Sequence, residues 1–119
     1  LGGLEGVEQG RTGLAGYSFG AVAAAAVAPA DQRVQALALV SPPPLNLERK
    51  VLGRWQRPKL LAVGERDAIA PPTSLQEVAD GLAEPRELLT FPGADHFWLG
   101  QTDELARAVA EFFRRWLAK

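Results

Sequence analysis

The sequence has no cysteine, no methionine, a single histidine and a single tyrosine among its 119 residues. Without cysteine there is no disulfide framework, no thiolate metal site and no thiol nucleophile; a cytoplasmic location is expected on that ground. One histidine with no cysteine argues against a bound metal, and no motif calls for a cofactor. There is also no surplus of one charge: 13 basic side chains face 14 acidic ones, a net charge of -1. Nucleic acid is therefore not expected as a partner, since phosphate recognition draws on clustered cations. Long hydrophobic runs are missing too. The most apolar stretch, Gly20 to Ala30, is mostly alanine and reaches about half of the roughly 20 residues that a bilayer span requires. No signal peptide, linker or internal repeat is visible. Because an intact reading frame would begin with methionine, Leu1 suggests a piece of a longer protein.

What is present suits one ordinary globular domain over residues 1–119, with 47% hydrophobic and 23% charged residues. Arg11 to Tyr17 reads as a short strand that runs into Gly16-Tyr17-Ser18-Phe19-Gly20, and Ala21 to Ala28 favours helix, closed by Pro29. Val34 to Val40 is a continuous apolar run of the kind covered on both faces of a sheet, ended by Pro42, Pro43 and Pro44. Leu45 to Arg57 reads as a short amphipathic helix, and Lys59 to Val63 as the next buried strand. Pro71 and Pro72 stand where a helix begins, and Leu75, Val78, Ala79 and Leu82 recur on one helical face. Glu87 to Phe91 is a fourth strand and Pro92 to Gly100 a loop. Leu105, Val109, Phe112, Phe113, Trp116 and Leu117 form the stripe of a last helix. Asp103 and Glu104 near its start, with Arg114, Arg115 and Lys119 near its end, complement the helix dipole. Strands alternating with helices predict a parallel sheet with right-handed crossovers, a three-layer α/β/α domain of about four strands.

In such sheets ligands bind at the carboxyl ends of the strands. The loops after the first, third and fourth strands carry Ser18, Asp67 and His96 to that edge. A nucleophile, an acid and a base from three loops are what a Ser-His-Asp triad needs. Ser18 lies in a G-x-S-x-G pattern that chance produces in roughly one chain in 25 of this length at average glycine and serine usage. Its position between a strand and a helix is what gives the pattern weight. Gly16 and Gly20 are expected to relieve crowding across a sharp turn, and the Phe19 N–H, at the helix start, is expected to hold a developing oxyanion. His96 is the single imidazole available to take the serine proton near neutral pH. Glu65, Asp67 and Asp95 all lie near the right strand ends. Asp67 is preferred because two strand spacings, roughly 10 Å, are what one imidazole and its two hydrogen bonds bridge. Asp95 is expected to point away and brace the loop. Phe19, Phe97 and Trp98 are candidates for an apolar pocket, with core packing as the competing role.

These residues resemble the α/β-hydrolase family. The resemblance rests on Gly16-Tyr17-Ser18-Phe19-Gly20, on Val63-Gly64-Glu65-Arg66-Asp67 with Pro71 and Pro72 after it, and on Gly93-Ala94-Asp95-His96-Phe97-Trp98. It covers nearly the whole chain and is similar in particular to small, lidless bacterial hydrolases of dienelactone-hydrolase or esterase type. It implies Ser18 as nucleophile, His96 as base and acid, Asp67 as the orienting carboxylate and a small acyl substrate. The serine departs from the aspartate of haloalkane dehalogenases and from the cysteine of true dienelactone hydrolases, which disfavours both activities. Relatives carry several strands before the elbow, one of whose loops supplies the second oxyanion donor. The resemblance therefore implies the C-terminal half of the fold, with Leu1 to Glu8 ending the preceding helix and no large lid between Pro42 and Arg57. Three functions compete: a serine hydrolase acting on carboxylic esters, thioesters or other acyl substrates; a catalytically incomplete fragment, active with its N-terminal half or a partner chain; and a binding module on the same scaffold. An exposed edge on the first strand invites a homodimer or a complementing segment.

Overall fold

The computed structural model describes residues 12–117. The expected helix end at Leu1 to Glu8, and the residues Arg11 and Lys119, lie outside the described residues. Strands β1 (Thr12–Tyr17), β2 (Val34–Val40), β3 (Lys59–Gly64) and β4 (Arg86–Phe91) form one four-stranded sheet in the order β1-β2-β3-β4. Every pairing is parallel, and β1 and β4 are its outer strands among the described residues. Helices α1 (Phe19–Val27), α2 (Arg49–Arg54), α3 (Pro72–Asp80) and α4 (Thr102–Leu117) complete the three layers.

Side-chain alternation along the strands decides what each face packs against. Leu37 and Leu39 of β2, with Leu61 and Val63 of β3, face α1, α2 and α3, where Ala24, Leu52 and Leu75 meet them. Ala36, Ala38 and Leu60 face the other way and receive Phe112 of α4. Small strand residues on that face leave room for the large aromatic. The alanines of α1 act in the same way: Ala21, Ala24 and Ala25, continued by Ala28 just past its end, are buried at i, i+3, i+4, i+7 spacing, so the helix lies close on the sheet. Pro72 occupies the first turn of α3, where its missing N–H costs nothing, and Leu75, Val78 and Ala79 form its buried face.

Two expectations need correction. The helix expected from Leu45 to Arg57 shrinks to Arg49–Arg54. After Pro42 and Pro43 the chain makes a tight 3-10 turn at Pro44–Asn46, and a helix starts only where Glu48 caps the N–H groups of Lys50 and Val51. Leu45 is thereby left 95% exposed. Trp116 does not join the buried stripe of α4 and is 40% exposed. Phe113 and Leu117 lean on Gly13 of β1, where a Cβ would come within 2.6 Å of the Phe113 ring. The described sheet ends there.

Candidate active site

Strand β1 ends at Tyr17 and α1 begins at Phe19, so a single residue makes the turn between them. That residue is Ser18, with φ 58° and ψ -121°. A non-glycine residue held there stores roughly 1–3 kcal/mol of strain, which the surroundings must offset. Its N–H donates to the Val40 carbonyl at 2.8 Å, and its own carbonyl accepts the N–H of Ala21 at 2.9 Å. Gly16 makes the turn possible, since a Cβ there would collide with the carbonyl oxygen of Gly20. The expectation for Gly20 itself is not met. A Cβ at that position would touch nothing within 4 Å among the described residues. The Phe19 N–H, first of α1, donates to no acceptor among the described residues and is available to a substrate oxygen.

The three loops converge as the strand ends direct them. His96 Nε2 lies 2.9 Å from Ser18 Oγ, and His96 Nδ1 lies 2.8 Å from Asp67 Oδ2. An ionised carboxylate only accepts, so Nδ1 carries the proton and Nε2 is left to accept from the serine hydroxyl. The Asp67 carboxylate is fully buried, and its Oδ1 accepts the N–H groups of Ile69 at 2.8 Å and Ala70 at 2.7 Å. Both oxygens are thus engaged, and the imidazole is held from behind. The other two carboxylates do different work. Glu65 accepts the Gly93 N–H at 2.8 Å, and Asp95 accepts the Phe97 N–H at 3.0 Å. Of the three acidic candidates, only Asp67 reaches the imidazole.

The loop bearing His96 is stitched to the turn bearing Asp67. Arg66 N–H donates to the Ala94 carbonyl at 2.8 Å, and Gly64 permits that approach because a Cβ there would strike the same carbonyl. Three supporting residues escaped sequence reasoning in these roles. The Tyr17 hydroxyl donates to the His96 carbonyl at 2.7 Å. Burial, then the negative charges of Asp67 and Asp95, push its pKa above the usual tyrosine value. Ser41 and Trp98 both sit at positive φ, 49° and 60°, and the Trp98 indole Nε1–H donates to Ser41 Oγ at 3.0 Å. Trp98 also meets Phe91 edge-on, with ring centroids 5.1 Å apart. It is buried core, whereas Phe19 and Phe97 are both exposed. Among the described residues no cluster of metal-ligating side chains occurs, and no helix is long and apolar enough to cross a membrane.

A strained serine on a strand-helix turn, backed by an imidazole and a buried carboxylate, is the arrangement of the α/β-hydrolase elbow. Over residues 3–117 the sequence matches the dienelactone hydrolase family. The chain belongs to that family. No curated protein sequence matches it. Among solved structures, this family member is similar to the dienelactone hydrolase from Anabaena variabilis (26% identity, TM-score 0.80), covering 90% of this chain and 50% of that one. It is also similar to an alpha-beta serine hydrolase homologue from Coxiella burnetii (31% identity, TM-score 0.69), covering 82% and 46%. An esterase domain from Rhodothermus marinus shares the fold at 17% identity and a TM-score of 0.81, covering 90% and 62%. The dienelactone-hydrolase-family chain thus spans roughly half to three fifths of the length of these structures.

Proposed function

We propose that this chain carries the catalytic relay of a serine hydrolase acting on carboxylic esters. The observation that carries the reading is the unbroken hydrogen-bonded line from Ser18 through His96 to Asp67. Ser18 Oγ attacks the ester carbonyl while its proton passes to His96 Nε2, and the oxyanion is received by the Phe19 N–H. The C–O bond to the alcohol then breaks, and the alcohol departs with the proton from His96. Water adds to the acyl-enzyme with His96 again taking a proton, and the acid leaves with Ser18 restored. Asp67 holds the imidazole in the working tautomer and stabilises its charged form. The segment between Pro42 and Arg57 is too short for a large lid at that position.

The test is covalent. An alkyl fluorophosphonate is expected to add once, at Ser18, in the longest natural form that carries these residues, with p-nitrophenyl ester hydrolysis lost in parallel. An unlabelled Ser18 in folded protein would falsify the assignment.

A second reading is favoured by the coverage of about half of the related structures: the 119-residue chain is a half-fold that becomes active with a complementing segment or a second copy along β1. The outer edge of β1 has no partner among the described residues, and an open edge is a template for pairing. Sedimentation of the 119-residue chain separates the two, since an active monomer contradicts this reading. A cytosolic location is part of the proposal, supported by the absence of cysteine, and cell fractionation tests it.

A further inference from the structure

Beside the elbow lies a half-open groove of about 520 Å3, walled by Phe19, by Pro43 and Leu45 of the turn after β2, and by Ile69 and Pro71 of the loop after β3. Its walls include Phe19, which follows the nucleophile, but neither Ser18 itself nor His96 with its neighbours Asp95 and Phe97. Phe19, Leu45 and Ile69 are 64%, 95% and 50% exposed. Large apolar side chains gathered at the mouth of a concave site are otherwise costly to leave in water and mark a ligand surface. Arg49 and Glu77 also line the groove, one cation and one anion, so its walls carry no net charge to attract a charged ligand.

The relay fixes how an ester enters. The departing alcohol oxygen must face His96 Nε2 to receive its proton, and the carbonyl oxygen must face the Phe19 N–H. The remaining substituent on the carbonyl carbon, the acyl chain, is left with the side that His96 does not occupy. We propose that this groove binds the acyl chain, and that the substrates are esters of neutral aliphatic acids longer than acetate. The proposal rests on the serine-hydrolase reading. Phe19 serves it twice, its N–H toward the oxyanion and its ring toward the chain.

The experiment measures kcat/KM for p-nitrophenyl esters from acetate to octanoate in the longest natural form, with Ser18 labelling followed on the same preparation. Each methylene buried is expected to raise kcat/KM about fourfold, giving on the order of a hundredfold between acetate and hexanoate. Ile69→Trp, which fills the groove, is expected to cut the hexanoate-to-acetate ratio at least tenfold. Leu45→Ser removes an exposed side chain without disturbing the core, and is expected to lower the same ratio severalfold. The dependence of acetate esters on alcohol length is expected to be the same in Leu45→Ser as in the parent protein. If Ser18 is labelled but the acyl ratio is flat, or unchanged in both variants, the groove assignment is overturned and the hydrolase reading stands. A response confined to alcohol length likewise overturns the acyl assignment, and failure to label Ser18 overturns both.

Discussion

The hydroxyl of Tyr17 donates to the backbone carbonyl of His96 across 79 positions of sequence. The residue preceding the nucleophile therefore helps set the height of the loop that carries the base. Tyr17→Phe removes the donor and keeps the ring, which lies 5.7 Å from the imidazole, centroid to centroid. One lost hydrogen bond is worth about 1 kcal/mol, so kcat is expected to fall roughly fivefold with KM nearly unchanged. A loss of stability with kcat intact would show that Tyr17 only packs.

Ser18→Ala and His96→Ala are each expected to lower kcat for p-nitrophenyl esters by roughly 10⁴-fold or more, and the double variant by little beyond either one. Residues acting as a unit lose their effect together. Additive losses, read from single-turnover rates, would show that the two do not share one proton path.

Asp67→Asn presents an amide N–H to His96 and turns the imidazole to the wrong tautomer. A fall of about 10⁴-fold in kcat is expected. Glu65→Gln and Asp95→Asn, whose carboxylates brace Gly93 and Phe97, are expected to cost less than tenfold.

The two glycines of the elbow should part company. Gly16→Ala drives a methyl into the Gly20 carbonyl and is expected to destabilise by about 3 kcal/mol, the upper part of the range for overpacking. Gly20→Ala meets open space among the described residues and is expected to be neutral or up to about 1 kcal/mol more stable, as helix propensity favours alanine. Denaturant midpoints for the two variants check the contrast.

At the opposite end of the sheet, Lys59 is fully buried, its Nζ donating at 2.7 Å to the carbonyls of Trp55 and Ala83. Burial pushes its pKa down to about 8 from 10.5. Between those values the unfolded chain holds a proton that the folded chain has released, so stability is expected to rise with pH across that window. Below pH 8 both states are protonated and the slope from this group vanishes. Urea midpoints measured from pH 7 to 10 should show the rise, and Lys59→Met should abolish it.

Much of this architecture was legible in the residues because burial on both sheet faces leaves continuous apolar runs, as at Val34 to Val40 and Leu60 to Val63. Strand-to-loop order alone then put Ser18, Asp67 and His96 on one edge. Strand spacing pointed to the loop after β3, but Glu65 and Asp67 share that loop, and the hydrogen bonds they make are what separates them. The tie between Ser41 and Trp98, 57 positions apart, leaves no local signature, since nothing near either residue announces the other. Leu45 misled because its spacing from Leu52 fits one helical face, whereas the chain turns extended at Leu47 and the helix begins only after the Glu48 cap. Trp116 fits its stripe equally well, but periodicity does not reveal where the sheet beneath a helix stops.

Nucleophile, carboxylate and imidazole all fall within one uninterrupted stretch from Ser18 to His96, and the bonds that join them are made inside that stretch. The proton relay is therefore a cassette in the genetic sense. A crossover placed ahead of Thr12 exchanges what precedes it without separating any two members of the relay, so recombination among relatives can change the upstream share of the site while the relay itself is inherited whole.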